Sequence, residues 1–318
     1  MIFVHEDPEF VALLSQVSAE TSIAAALVEK DYWITHSMWA LHETKLAIWF
    51  KGGTSLSKGF GIIERFSEDL DLMIECGGEE TLPKVANWAS TNKGPTAQRR
   101  AFFEQLPAAL AIPGVSVELD AQRLGKYALA ADFIGRYPGA HVTGLPSAMS
   151  PFVRFEVGRA RVVPFAAMPL TSFVHDHLER LGMSSNYVDN RPRAVRCVHP
   201  VVTLLEKLDA LSRRYSREVR EPDAFVRHYE DAARIIQALD RLPPIETSAL
   251  TLAEDMLGEK SIAGLPTADD PSLVLDDPEK RASVERAYAK IAPMFWGPRI
   301  PLDEVRAIIR EWVGALAA

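Results

Sequence analysis

Cysteines, long apolar runs and excess positive charge are all scarce in this 318-residue chain. Its two cysteines, Cys76 and Cys197, exclude a disulfide framework and a zinc-finger pattern, and they favour a reducing compartment, so the cytoplasm is the expected location. No apolar run approaches the roughly 20 residues of a membrane span, and the acidic first residues predict neither an export signal nor a membrane partner. A net charge of −8 argues against non-specific coating of nucleic acid, although local basic patches remain compatible with it.

The pattern of apolar residues is that of a globular α+β protein with two parts. Residues 1–190 mix helices and strands, whereas residues 191–318 read as a helical C-terminal domain. In the first part we predict helical structure over 8–44, a strand over 45–50, an interrupted helical segment from about 82 to 112, strands over 115–120 and 127–137, and a strand pair over 152–165.

The stretch "FKGGTSLSKGFGIIERFSEDLDLMI", residues 50–74, contains two acids at strand spacing. Asp69 and Asp71 are two residues apart, so on a strand they face the same way, roughly 6–7 Å apart at their Cα atoms. Two adjacent carboxylates raise each other's pKa, and a hard cation such as Mg²⁺ or Mn²⁺ relieves that repulsion. The alternative is a strand end that carries two solvated acids.

A glycine pair with two hydroxyl residues precedes these acids. Gly52 and Gly53 allow backbone N–H groups to approach an anion, and Thr54 and Ser55 add hydroxyl donors. Lys58 lies one helical turn after Thr54. The P-loop pattern is absent, and alone this segment is equally compatible with a capped strand-to-helix turn. Together with the two acids it predicts a loop for a triphosphate and a strand for its metal ion.

This combination resembles the polymerase-beta-like nucleotidyltransferase fold, and the fuller string is similar to the AbiEii toxin family. That family is the toxin side of type IV toxin–antitoxin systems, to which the MenT toxins belong. The resemblance implies a mixed sheet with flanking helices, followed by a helical domain that contributes active-site residues, and it places Arg65 in nucleotide binding. It is carried by the glycine pair, Arg65, Phe66, Ser67, Asp69, Leu70 and Asp71, in that order.

Further stretches match the family. One is "LVEKDYWIT" (27–35), whose expected role is structural packing, and the other is the pair "TLLEKLDAL" (203–211) and "FVRHYEDAARI" (225–235). From spacing alone, Arg227 and Asp231 form an ordinary ion pair on one helix face. The resemblance instead implies that Lys207 and Asp231 are catalytic. Lys207 would neutralise phosphate charge, and Asp231 would orient the lysine or assist deprotonation of the attacking hydroxyl.

Three other features carry weaker predictions. Glu156 is either a third carboxylate of the site or half of an Arg154–Glu156 pair on an edge strand. The "HDH" of residues 175–177 is typical of a surface turn or a helix start. Ser67 is two residues before Asp69, so its phosphorylation would place negative charge beside the metal acids and is a hypothesis about regulation.

The expected activity is transfer of a nucleoside monophosphate from NTP–Mg²⁺ to an RNA acceptor, with the tRNA 3′ end as the leading candidate and blocked translation as the result. The resemblance also implies a cognate antitoxin as a partner. Alternatives are modification of a small molecule or of a protein hydroxyl, and a non-enzymatic regulator. The RNA-facing patch, or else an ordinary solvated helix face, is predicted at Arg213, Arg214, Arg217 and Arg220.

Overall fold

The computed structural model of the chain describes residues 1–44, 46–67, 69–75, 82–146, 149–216 and 222–316. Three residues singled out above, Cys76, Arg217 and Arg220, lie outside them. Residue contacts divide the chain into two compact units. The first comprises Met1–Thr54, Ser67–Arg159 and Ala167–Cys197, and the second comprises Ser55–Phe66, Ala160–Ala166 and Val198–Ala318.

Seven strands of the described residues pair into one mixed sheet. They are β1 (Ala47–Lys51), β2 (Asp69–Glu75), β3 (Ser116–Leu119), β4 (Ala130–Arg136), β5 (Val153–Gly158), β6 (Phe165–Met168) and β7 (Val195–Val198). Their order is β3-β4-β5-β2-β1-β7-β6. β2 is antiparallel to β1 and parallel to β5, and β4 is antiparallel to both of its neighbours. The predicted α+β class with a mixed sheet is confirmed.

The predicted strand pair over residues 152–165 is wrong. β5 and β6 are separate strands, and β6 lies at the far edge of the sheet, beside β7. Both edges of β5 are already taken, one by β2 and the other by β4, so a hairpin partner has no place beside it.

Four helices of the first unit are α1 (Phe10–Thr21), α2 (Ala25–His42), α4 (Lys93–Ala109) and α5 (Phe173–Arg180), and a three-residue turn is α3 (Gly52–Thr54). The segment predicted to be helical over residues 8–44 is helical and is divided into two helices, because Ser22 takes a left-handed conformation with φ 59° and ends α1. In the described part of the chain no single helix is long and apolar enough to cross a membrane; α1 and α2 pass only as a pair bent by 112°.

The predicted helix from residue 82 is also shorter than expected, since only α4 is helical. The Asn87 side chain accepts the backbone N–H groups of Ala89 and Ser90 at 2.9 and 3.0 Å. These local bonds compete with the helical ladder. The buried guanidinium of Arg99 on α4 donates to the backbone oxygens of Asn87, Trp88 and Ser90 and fixes this segment as a loop.

Helix α2 buries three consecutive charged residues, Glu29, Lys30 and Asp31, which are 1%, 0% and 7% exposed. Each one binds the backbone of a different segment of the first unit, two of them loops and the third the start of α5. Their contacts are the N–H groups of Ala140 and His141 at 2.8 Å to the Glu29 carboxylate, the Ser150 carbonyl at 2.8 Å from Lys30 Nζ, and the Phe173 N–H at 3.0 Å from Asp31 Oδ2. The "LVEKDYWIT" segment therefore has the structural role of tying loops to a core helix.

The second unit is built from helices, in agreement with the pattern of the C-terminal sequence. They are α6 (Pro200–Ser216), α7 (Arg227–Ala238), α8 (Ala249–Gly258), α9 (Pro271–Val274), α10 (Pro278–Lys290) and α11 (Leu302–Leu316). Its core contains apolar side chains of α6, α7 and α11, among them Leu204, Leu208, Ile235 and Ile309. Leu56 and Ile63, from the short segment that follows the glycine pair, also belong to this core.

Candidate active site

The two acids of the opening motif lie on one face of β2, as predicted. Leu70 and Leu72, on the other face, are 0% and 2% exposed, whereas Asp69 and Asp71 are half-buried. The alternation of the strand therefore places both carboxylates together on the more open face of the sheet.

Carboxylates continue across this face onto the neighbouring strands. Glu156 of β5 is the register partner of Asp71, and Asp132 of β4 is the register partner of Glu156. Directly paired residues of adjacent strands point to the same side. Asp71, Glu156 and Asp132 thus form a row across three strands, with Asp69 one pleat away.

The electrostatic cost of this row is visible at Glu156. Burial and, after it, the negative charges of Asp69, Asp71 and Asp132 together raise the pKa of the Glu156 carboxyl to about 7, with Arg123 opposing them. At neutral pH, Glu156 is therefore divided between its protonated and ionised forms.

Arg154 supplies positive charge to the same face. It is the register partner of Asp69, and its Nε lies 3.7 Å from Asp69 Oδ1. Its Nη1 lies 3.3 Å from Asp120 and 3.4 Å from Asp132. The alternative of an edge-strand Arg–Glu pair is wrong, because β5 is an interior strand and these contacts of Arg154 are with aspartates.

The glycine loop and the acid strand are in direct contact. Gly52 has φ +73°, and a Cβ on it would lie 2.7 Å from Asp71 Cγ and still closer to Oδ2. Only glycine both tolerates the positive φ and leaves room for the Asp71 carboxylate, because it has no Cβ. Thr54 Oγ1 donates a hydrogen bond of 2.8 Å to the backbone carbonyl of Asp69. The backbone around Gly52 and the carboxylate of Asp71 therefore belong to one local structure.

The residues after Thr54 continue as a π-helical segment, Ser55–Gly59, a form that is frequent at functional sites. Gly53 and Ser55 are buried, and Lys58 is half-buried. Ser55 is 1% exposed, and its hydroxyl has no hydrogen-bond partner within the described residues. A buried hydroxyl of this kind is suited to a ligand oxygen.

The second unit contains a buried group of two cations around one acid. The Asp231 carboxylate accepts two hydrogen bonds of 2.7 Å from Arg65, through Nε and Nη2, and lies 2.8 Å from Lys207 Nζ. Arg65 and Asp231 are each 1% exposed, and Lys207 is 7% exposed. We call these three residues the buried triad.

The charges of the triad determine its protonation. Burial opposes ionisation of Asp231, yet Arg65 and Lys207 hold the pKa of its carboxyl well below the usual range. Burial lowers the pKa of the Lys207 ammonium, and the positive charges of Arg65 and Arg227 lower it as well. The negative charge of Asp231 raises it. His228 Nδ1 lies 3.4 Å from Lys207 Nζ, and burial together with Lys207 and Arg227 lowers the pKa of His228 well below its ordinary value. His228 is therefore neutral.

The predicted residues thus fall into two structural groups. Gly52, Thr54, Asp69, Asp71 and Glu156 come together in the first unit. Arg65, Lys207 and Asp231 come together in the second, and Asp231 pairs with Arg65 and Lys207 where spacing alone suggested Arg227.

Sequence reasoning missed Arg154 as a counter-charge and Asp132 as a further acid. The available signal for Asp132 was its position as an acid within the alternating strand pattern of "YALAADFIGRY", residues 127–137.

The family model described as nucleotidyl transferase AbiEii toxin, type IV toxin–antitoxin system, matches residues 38–310 of this chain. The chain belongs to the AbiEii family. Among solved structures it is similar to MenT4, a nucleotidyltransferase toxin from Mycobacterium tuberculosis H37Rv, with 17% identity and a TM-score of 0.39 over 96% of this chain and 98% of that one. No curated protein matches it.

The acid face of this AbiEii protein has the chemistry of a hard-cation site. Within the described ranges, no three histidine, cysteine, aspartate or glutamate side chains converge as a ready-made metal centre. The oxygens of Asp69 and Asp71 are nevertheless ligands that Mg²⁺ prefers, and a divalent cation would relieve the repulsion among the neighbouring carboxylates that, after burial, raises the pKa of Glu156. The residues therefore fit a metal ion.

The "HDH" sequence lies at a helix start, as predicted. Ser172 caps α5, and His175 is buried between Ser172 Oγ and Asn190 Oδ1, at 2.6 and 2.8 Å. His177 contacts Glu20 at 2.6 Å. These contacts are those of a structural helix terminus.

Proposed function

We propose that this AbiEii toxin transfers a nucleoside monophosphate from an NTP to a hydroxyl of RNA with release of pyrophosphate, and that the tRNA 3′ end is the first candidate acceptor. Membership of the family establishes a nucleotidyltransferase toxin of the type IV class. The observation that carries the proposal is the contact between Gly52 and Asp71. It supports a common site for the loop, which is suited to phosphate, and the acid strand, which is suited to a metal ion.

In this proposal the triphosphate lies over the backbone of the glycine loop and the side chains that follow it. The strongest support is the hydroxyl of Ser55, which has no hydrogen-bond partner in the part of the chain that the structure describes, and Lys58 adds positive charge. The residues assigned to nucleotide binding are Gly52, Gly53, Thr54, Ser55, Lys58 and Arg65. Arg65 is buried against Asp231, so it would act by holding the triad.

Asp69 and Asp71 would hold Mg²⁺ or Mn²⁺, with Glu156 as a third carboxylate. When bound, the metal ion supplies charge stabilisation for the transferring phosphoryl group and activation of the incoming hydroxyl.

Lys207 and Asp231 are proposed to act in the same reaction. The sequence allows Asp231 either to orient the lysine or to assist deprotonation. Its low pKa makes it a poor proton acceptor, and its 2.8 Å contact with Lys207 supports the orienting role. Lys207 would then stabilise the developing phosphate charge.

The biological part of the proposal comes from the family. Transfer to a tRNA 3′ end would block translation in the cytoplasm, and an antitoxin would limit the damage.

Ser67 is half-buried just before β2, and its phosphorylation would add about two negative charges beside the acids and oppose triphosphate binding. A Ser67→Asp protein should therefore transfer nucleotide poorly.

The test is incubation of the purified protein with each of four NTPs, labelled at the α-phosphate, and with purified tRNA, total RNA, small hydroxyl acceptors or protein. Label should appear on tRNA and disappear with Asp69→Asn and Asp71→Asn. Label on small molecules or protein alone would overturn the RNA proposal. Growth arrest by an Asp69→Ala protein would favour a non-enzymatic regulator.

A further inference from the structure

The guanidinium of Arg154 is held firmly at one nitrogen and more weakly at another. Its Nη1 lies 3.3 Å from Asp120 Oδ2 and 3.4 Å from Asp132 Oδ2, and both distances are those of hydrogen bonds. Its Nε lies 3.7 Å from Asp69 Oδ1, which is too long for a hydrogen bond. Asp120 and Asp132 therefore anchor the guanidinium, while its contact with Asp69 is electrostatic.

These charges lie just below the surface of the acid face. The Arg154 side chain is 12% exposed and packs over the Phe152 ring, with its guanidinium carbon 5.1 Å from the ring centroid. The exposed fractions of Asp69, Asp120 and Asp132 are 20%, 15% and 15%. Solvent screens charges at this depth less than it screens fully exposed ones. A positive charge beside Asp69 therefore changes what that carboxylate can bind.

The contact between Arg154 and Asp69 works against a metal ion that arrives alone. Mg²⁺ binds carboxylate oxygens at about 2.1 Å, so an ion on Asp69 Oδ1 would lie close to Arg154 Nε. The two cations would repel each other, and this repulsion subtracts from the attraction between the ion and the carboxylate. An ion that is already bound to a triphosphate brings several negative charges with it, and these would offset the repulsion.

We propose that Arg154 is a positioning residue that acts as a built-in counter-ion of Asp69, so that the metal ion binds strongly only together with a triphosphate. In the free protein the arginine balances the charge of Asp69 and disfavours binding of the ion alone. That the metal ion enters with a triphosphate rests on the proposed function. The weak affinity for the ion alone rests on the contacts of Arg154.

Arg136 offers a matched control on the same face of the sheet. It is four residues after Asp132 on β4, so both side chains point to the same side. Its guanidinium also lies over the Phe152 ring, at 5.9 Å from the centroid. Its Nε and Nη2 donate to Glu118 at 3.0 and 2.8 Å. Loss of Arg136 therefore removes the same formal charge from the same face, at a pair with Glu118.

The direct test is binding of Mn²⁺ to the whole protein without nucleotide, with the free ion measured by electron paramagnetic resonance. We expect Arg154→Gln to bind Mn²⁺ about tenfold more tightly than the wild type, because one repelling charge is removed. Arg136→Gln should change the affinity less than twofold. An arginine with a merely structural role would weaken the site when lost. Unchanged or weaker binding by Arg154→Gln, or an equal gain with Arg136→Gln, would overturn the proposal.

Arg154→Lys is the second variant, and it tests the charge even if Arg154→Gln does not fold. Thermal unfolding reports which variants fold. Lysine keeps the positive charge of arginine but lacks its planar fork. We therefore expect the Mn²⁺ affinity of Arg154→Lys to stay within about threefold of the wild-type value. A tenfold change in this variant would show that the charge is not what sets the affinity.

Titration calorimetry with the preformed complex of Mn²⁺ and inorganic tripolyphosphate tests the role of the triphosphate. Arg154→Gln should raise the affinity for this complex less than about threefold, because the phosphate charges already offset the repulsion. A tenfold gain here as well would overturn the link to the triphosphate.

Labelled transfer keeps the counter-ion role separate from the proposed function. Tighter Mn²⁺ binding by Arg154→Gln, in a protein that transfers no label to any acceptor, would support the role of Arg154 and remove the proposed function. Transfer of label to RNA by a protein whose Mn²⁺ affinity is insensitive to Arg154 would do the reverse.

Discussion

Each unit of this protein gathers charges of one sign around a residue of the opposite sign, but the two clusters differ in their contact with water. On the first unit's sheet, Arg154 is 12% exposed beside Asp69 at 20%. In the buried triad, Arg65 and Asp231 are each 1% exposed. A partly hydrated cluster can exchange its counter-ion, whereas a dry one depends on each of its charges for stability. Charge removal should therefore affect ligand binding first on the sheet and folding first in the triad.

The largest effect is expected from Asp231→Asn. Loss of the carboxylate leaves Arg65 and Lys207 buried without their shared counter-charge, and we expect the free energy of unfolding to fall by about 3–5 kcal/mol. Urea denaturation measures it. Glu285→Gln, in the exposed Arg281–Glu285 pair, is the control and should cost less than about 0.5 kcal/mol. Similar losses in both variants would remove the distinction between dry and hydrated clusters.

The second effect concerns the contact between the glycine loop and the acid strand. In Gly52→Ala the new methyl group displaces the Asp71 carboxylate, and we expect nucleotide transfer to fall roughly 100-fold, because small displacements of catalytic groups are costly. Gly61→Ala is the matched control, since Gly61 also has a positive φ, of 61°, but nothing lies within 4 Å of its Cβ position. Equal losses of activity in the two would assign the effect to backbone strain.

The third and smallest effect is a pH dependence of the acid face. Since the pKa of Glu156 is about 7, affinity for Mn²⁺ should fall about tenfold per pH unit below neutrality if Glu156 is a ligand. Asp132→Asn removes a neighbouring negative charge and should shift this curve to lower pH, while Glu156→Gln should abolish it. The effect of pH on folding stability runs the other way. Because the pKa of Glu156 is higher in the folded protein, protonated Glu156 contributes fully to the free energy of unfolding below pH 4.5, and this contribution is lost as the pH rises through 7. A Mn²⁺ affinity that is flat between pH 6 and 8 would exclude Glu156 as a ligand.

The acid face was accessible from the sequence because its information is local. Asp69 and Asp71 are two residues apart on one strand, so their common direction follows from strand geometry. The contact of Gly52 with Asp71 arises between β1 and β2, which are consecutive strands and antiparallel neighbours.

The triad could not be derived in the same way, because 166 residues separate Arg65 from Asp231. Family resemblance indicated Lys207 and Asp231 and allowed Asp231 to orient the lysine, but it gave no pairing of either residue with Arg65. The position of β6 was missed for a related reason, since strand order depends on partners that are distant in sequence. The loop before α4 was missed because the side-chain bonds of Asn87 and the reach of Arg99 leave no periodic pattern.

The three buried charges of α2 have a consequence for motion. Glu29, Lys30 and Asp31 hold backbone near residues 140, 150 and 173, and a loop that moved away would leave a charged side chain without its partner in the protein interior. Opening one of these loops is therefore costly by itself, and we expect the amide hydrogens of Ala140, His141 and Phe173 to exchange at similar, slow rates. One helix would thus protect three separate segments of the first unit, two loops and the start of α5, against local opening.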